Sequence, residues 1–146
     1  MLDETSNLTI KKVNNKNDFE KVIDIRKNVF IKEQNVPYDI EIDGLDSTSE
    51  HFIAYLNDET IGCARIRTEK SVAKLERIAV IKKYRGKGFG TKLTKFLIEY
   101  CKKERFDEIV LHSQTQVVDF YRKLGFKTRG KTFFEADIEH IEMYKK

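Results

Sequence analysis

The chain has 146 residues, with 28 Lys and Arg against 24 Asp and Glu and a net charge of +4. At 40% apolar and 36% charged residues it is too hydrophobic for a disordered tail and long enough to bury one sizeable core, so a single domain over residues 1–146 is expected. "MLDETSNLTI" lacks a signal-peptide pattern and no apolar run approaches membrane-spanning length, which predicts a cytoplasmic protein with no membrane partner; Cys63 and Cys101 have neither CxxC nor metal-ligand spacing, so no disulfide framework and no metal is expected.

The elements read in chain order as an α/β alternation. "LTIKKV" is a short strand, and "DFEKVIDIRKNVF" follows as a helix carrying Phe19, Val22, Ile23, Arg26, Val29 and Phe30 on one face. Past Pro37 come three strands, "EHFIAYL", "TIGCARIRT" and "VAKLERIAV", the first two joined across the turn-forming "NDE". A second helix repeats Phe89, Leu93, Phe96, Leu97, Tyr100 and Cys101 at helical spacing. The strand "EIVLHS", the short helix "VVDFYRKL" and the strand pair "FKTRGKTFF" and "HIEMYK" close the chain. Strands alternating with helices in this way predict a mixed sheet layered with helices.

Charge is distributed unevenly along these elements. From Glu33 to Ala64 there are eight carboxylates and no Lys or Arg, whereas from Arg65 to Arg105 there are fourteen Lys and Arg against four Glu. Within the basic third, "AVIKKYRGKGFGTKL" (79–93) places three of the seven glycines in five residues, directly before the second helix. The stretch is not a P-loop, because no glycine five positions upstream precedes a Gly-Lys-Ser/Thr. It is not a dinucleotide fingerprint either, because Thr91 stands where a third glycine is required. What remains is R-x-x-G-x-G, spanning Arg85, Gly86, Lys87, Gly88, Phe89 and Gly90. Glycines let backbone N–H groups approach an anion, and a helix start adds unpaired N–H groups and a positive dipole end. The loop therefore reads as a pyrophosphate cradle, the bland alternative being an ordinary strand-to-helix turn.

"ERIAVIKKYRGKGFGTKL" resembles the signature of the GNAT acetyltransferases, and "DFYRKLGF", with Tyr121 four residues before Gly-Phe, resembles the family's second signature. "VFIKEQNVPYDIEIDGLD" and "FFEADIEHIEM" are similar to the ElaA-like branch, although "EADIEH" replaces an Asp-Gly-Ile-Pro-like turn. The resemblance implies a mixed sheet of about seven strands flanked by about four helices, splayed between the fourth and fifth strands. It also implies acetyl-CoA as co-substrate, held by Ile78, Ala79, Val80 and residues 85–91 through Thr91.

Direct transfer of an acetyl group to an amine needs an oxyanion donor, a base and an acid for the thiolate. By resemblance the N–H near Val80 is the donor and Tyr121 the acid. Glu76 is the first candidate base, with a plain ion pair to Lys74 as its alternative reading; His140 with Glu135 is the second. Glu33, Asp43, His51 and Glu135 are candidates for binding the acceptor. With the acidic third on the acceptor side, a small, cationic amine is the expected partner. A protein lysine or N-terminus, or a non-catalytic acetyl-CoA-binding domain, stays open, as does a homodimer. Nucleic acid is not expected, because the acidic third would repel it and the aromatics lie on buried faces.

Overall fold

The computed structural model describes residues 7–146; the reading of the first six residues as free of a leader lies outside that range. Seven strands, β1 (Leu8–Lys12), β2 (Glu50–Leu56), β3 (Glu59–Glu69), β4 (Val72–Val80), β5 (Glu108–Gln114), β6 (Lys127–Glu135) and β7 (Ile138–Lys145), form one sheet in the order β1-β2-β3-β4-β5-β7-β6. Every neighbouring pair is antiparallel except β4 with β5. The helices are α1 (Lys16–Arg26), α2 (Tyr38–Glu41), α3 (Phe89–Lys103) and α4 (Val118–Arg122). No helix among the described residues is long and apolar enough to cross a membrane.

The two faces of the sheet carry different cores. On one, Leu93, Leu97, Ile98 and Cys101 of α3 pack on Phe52, Ile66, Leu75, Leu111 and Met143, the stripe that the helical spacing predicts. On the other, Val22, Ile25 and Val29 cover Ile53, Cys63 and Ala79. Helix α1 starts where Asn15 accepts a hydrogen bond from the Asp18 N–H at 2.8 Å, an N-cap that satisfies an otherwise orphaned donor. Its far end differs from the sequence expectation: Lys27–Glu33 continues as a wider π-helical turn, which carries Phe30 and Gln34 over the open part of the sheet.

Two irregularities in β4 create that opening. The parallel ladder runs from Val72–Glu108 to Leu75–Leu111 and stops, so the splay lies between the fourth and fifth strands. Against β3, Cys63 pairs with Ala79 but Arg65 with Glu76, two steps against three. The extra residue sits at Arg77, whose φ of 54° is left-handed, a strained bulge that turns the strand end away from β5. The bulge also brings the Ala79 carbonyl within 2.9 Å of where a Cβ on Gly62 would lie, so only glycine fits there. At the other end of the sheet, the β6–β7 turn closes on Ala136 and Asp137 with φ of 51° and 62°. The hairpin forms without the expected glycine, at a cost of roughly 1–2 kcal/mol per left-handed non-glycine residue.

Candidate active site

Beyond Leu75 and Leu111 the diverging strands border a cleft of about 440 Å³. One wall is the end of β4, the other is the end of β5 with α4 and the β6–β7 hairpin, and the π turn and α2 cover the top. The Ile81 N–H donates to Ile61 of β3 at 2.9 Å. By alternation Val80 turns its own N–H and C=O away from β3. The carbonyl accepts from Arg85 Nε at 2.8 Å, which leaves the N–H directed across the cleft.

The glycine loop lies at the mouth. Gly86 and Gly88 take φ of 77° and 86°, and a Cβ at either would meet no atom within 4 Å. Glycine is therefore set there by backbone conformation rather than crowding. Gly88 caps α3 without a side-chain hydrogen bond, so the cap residue itself does not occupy the first N–H groups of this fifteen-residue helix, those of Phe89, Gly90 and Thr91. Gly90 lines the cleft. Lys87 belongs to the same loop. Phe89 and Ala79 offer the cleft no more than their backbone: the Phe89 ring is 2% exposed in a cluster with Ala54, Leu56 and Ile61, and Ala79 is packed under α1. Ile78 is half-buried on the cleft wall. Arg85 differs from the expected free phosphate ligand, since its guanidinium grips Glu33 at 2.7 and 2.9 Å and so fastens the loop to the π turn.

The acidic third does not form an open negative field. Arg26 and Arg65, both fully buried, reach out of α1 and β3 to Glu41, Asp43 and Asp46. Arg77 joins the same group, with Nε 2.6 Å from Glu41 and Nη2 3.3 Å from Asp43. Arg65 beside Asp43 outweighs desolvation and holds that carboxyl well below the usual carboxylate range. Of the four candidate acceptor ligands, Glu33 is occupied by Arg85, Asp43 by Arg65, and His51 is buried under the edge of Phe19 with Nε2 2.9 Å from the Asp46 carbonyl. Only Glu135 lines the cleft. The reason is elementary: a carboxylate folded beside a buried arginine must pair with it, because an isolated buried charge is far too costly.

Glu76 lines the cleft with a side chain 10% exposed, yet it faces three cations. Arg65 lies at 2.7 Å, Arg67 at 2.7 Å and Lys74 at 3.3 Å. Burial raises its pKa, but the Arg67 hydrogen bond with Arg65 and Lys74 prevails and brings it to about 2, which makes it a poor proton acceptor. His140 also lines the cleft, but its Nδ1 is held by the Ile138 carbonyl at 2.6 Å. Glu135 pairs not with His140 but with His112, whose Nδ1 stands 2.8 Å away. His112, which the sequence reading does not single out, also lines the cleft, and a signal for it exists: in "EIVLHS", Ile109 and Leu111 face the α3 core, so Val110 and His112 face the other way. Tyr121 stands on α4 between Phe120 and Phe126 and lines the cleft. Burial pushes its phenol up to about 12, so it is fully protonated at neutral pH.

This arrangement offers a slot between two strands, a backbone donor and a phenol on opposite walls, and a glycine loop at a helix start. Residues 13–146 match the family model for the acetyltransferase (GNAT) domain. The chain is 39% identical over 122 residues to YjcF of Bacillus subtilis, described as an uncharacterized N-acetyltransferase, covering 83% of this chain and 87% of that one. It is 33% identical over 129 residues to Protein ElaA of Escherichia coli, covering 84% and 83%. The crystal structure of E. coli ElaA superposes with a TM-score of 0.87 at 26% identity, covering 95% of this chain and 99% of that one. A Bacillus subtilis acetyltransferase solved in complex with CoA shares the fold at a TM-score of 0.72 and 22% identity, covering 94% and 97%. The chain belongs to the GNAT acetyltransferase family, in its ElaA-like branch, and is an N-acetyltransferase.

Proposed function

We propose that this enzyme transfers the acetyl group of acetyl-CoA directly to the primary amine of a small acceptor bound in the cleft between β4 and β5. The observation that carries the reading is the end of the β4–β5 ladder at Leu75–Leu111, which opens a slot beside a Gly88-capped helix start. The diphosphate of the co-substrate fits the N–H groups of residues 86–91 and the positive end of α3. The extended arm fits along β4 under the Val80 N–H, which is aimed where a thioester carbonyl gains negative charge. The Tyr121 phenol, kept protonated by burial, supplies a proton to the departing thiolate.

The acceptor is a cation by virtue of its own ammonium rather than through a broad acidic field, because Glu41, Asp43 and Asp46 at the centre of the acidic third are neutralised by Arg26, Arg65 and Arg77, and Glu33 by Arg85. Phe30, Val36 and Ile40 line the cleft and fit an apolar portion of the acceptor, while Glu135, the one candidate acceptor ligand there, is engaged by His112. Thiol release from acetyl-CoA in the presence of a panel of primary amines is the test. Release above the enzyme-free rate with small monoamines, and no strong advantage for polyamines, is expected. No release with any amine contradicts transfer, and a large polyamine preference contradicts the neutralised field.

A further inference from the structure

The acetyl-transfer reading leaves one step without a residue. An alkyl ammonium with a pKa of about 10.4 must lose a proton before it can attack, and Glu76, ringed by three cations, cannot take it. Across the cleft the situation is different. His112 occupies the first position of β5 after the last rung shared with β4, so its ring stands at the fork where the slot begins. Three neighbours fix it: Glu135 on β6 at 2.8 Å from Nδ1, Glu142 on β7 at 3.7 Å from Nε2, and the Phe133 ring edge-on at 4.9 Å. Glu142 is in register directly opposite His112. An ionised carboxylate can only accept, so the short contact with Glu135 requires a proton on Nδ1, and the neutral imidazole therefore carries its lone pair on Nε2.

We infer that the His112–Glu135 pair is the proton acceptor for the amine, with Glu135 fixing the imidazole and Glu142 stabilising the imidazolium that forms. This rests on the acetyl-transfer reading. The ammonium passes one proton to Nε2 of His112 through solvent. The freed lone pair forms the bond from nitrogen to the thioester carbonyl carbon as the carbon–sulfur bond breaks, and the sulfur takes the Tyr121 proton. The second nitrogen proton restores the phenol, and the His112 proton leaves past Glu142, whose other oxygen is held by Arg129 at 2.7 Å. One proton is released per acetyl group transferred, and nothing beyond the two substrates is consumed. Of the titratable and charged groups nearby, Glu135 from β6 and Glu142 from β7 contact the ring, Arg129 from β6 holds Glu142, and Lys74, Glu76 and His140 line the same cleft. The pair is accessible as well as held: His112 is 24% and Glu135 47% exposed. That is the setting of a base that must exchange protons with solvent, rather than of a core histidine.

The test compares two nucleophiles with acetyl-CoA at pH 7, both at high concentration: propylamine, which is almost wholly protonated, and hydroxylamine, which is not. His112→Asn keeps a donor for Glu135 but cannot take a proton. It should lower the propylamine rate by about 10²-fold and leave the hydroxylamine rate within about threefold, with acetyl-CoA affinity by calorimetry unchanged. Glu135→Gln, which keeps the imidazole but loosens its tautomer, should lower the propylamine rate by about tenfold. Equal loss with both nucleophiles makes His112 a packing residue and overturns the proposal, as does no loss with either. If His112→Asn does not bind acetyl-CoA, Glu135→Gln decides by the same comparison. Wild-type enzyme that releases no thiol with either nucleophile contradicts acetyl transfer itself and removes the proposal with it.

Discussion

Glu76 and Glu135 are two carboxylates facing one cleft from opposite walls, and their surroundings give them opposite characters. Glu76 is 10% exposed and touches Arg65, Arg67 and Lys74, and its pKa falls to about 2. Glu135 is 47% exposed and is paired with His112, whose hydrogen bond lowers its pKa. The residue type is the same; the number of cations and the access of water decide whether it serves the fold or the chemistry. The β4 wall carries an ionic scaffold, and the β5–β7 wall carries the pair proposed to take the proton.

The largest expected effect breaks the scaffold. Arg65→Met leaves Glu76, Asp43 and Asp46 with unbalanced charge in a buried site, and should cost about 3–5 kcal/mol of unfolding free energy in urea denaturation. A loss under about 1 kcal/mol would mean that the network is solvated and that the contrast between the walls is not real. Next is the proposed acid, Tyr121. Tyr121→Phe preserves the packing against Phe120 and Phe126 and should reduce kcat by about 10²-fold with acetyl-CoA affinity unchanged. An unaltered kcat at chemistry-limited turnover returns Tyr121 to the core.

Acid sharpens the comparison. Glu76 has a folded pKa of about 2 against an ordinary 4.5, so its stabilisation is fully present above about pH 5 and is lost as pH falls toward 2. Asp43, held low by Arg65, adds a loss of the same sign. Glu76→Gln should therefore flatten the decline in unfolding free energy between pH 5 and pH 3, as measured by urea titration at each pH. A decline as steep as in the wild type places the acid-sensitive groups elsewhere. The smallest effect is at Glu135, where Glu135→Gln should alter stability at pH 7 by less than about 0.5 kcal/mol despite its effect on turnover.

Local features were the legible ones. The spacing of Leu93, Leu97 and Cys101 gave the buried face of α3, and the crowding of Gly86, Gly88 and Gly90 before a helix gave the loop, because both signals lie within a few residues. The ionic scaffold was not legible: Arg26 finds Glu41 fifteen positions away and Arg77 finds Asp43 thirty-four away. In one dimension the acidic third looks like a bare negative surface, whereas folding lays its centre, Glu41, Asp43 and Asp46, on arginines from α1, β3 and β4. The bulge at Arg77 was invisible for another reason, since a left-handed arginine carries none of the glycine signal that marks such a position. His112 had its facing written in the alternation of β5, but its partner Glu135 is brought to it only by the pairing of β5 with β7 and β7 with β6.

The claim on which the account depends is that acetyl-CoA lies in the slot between β4 and β5. Amide-resolved NMR during titration with acetyl-CoA addresses it directly. Saturable shifts at Val80 and residues 86–91, accompanied by shifts at His112 and Gln114 on the facing wall, are the expected result. No binding, or saturable binding that perturbs amides elsewhere and leaves Val80 and Gly88 unmoved, would contradict it.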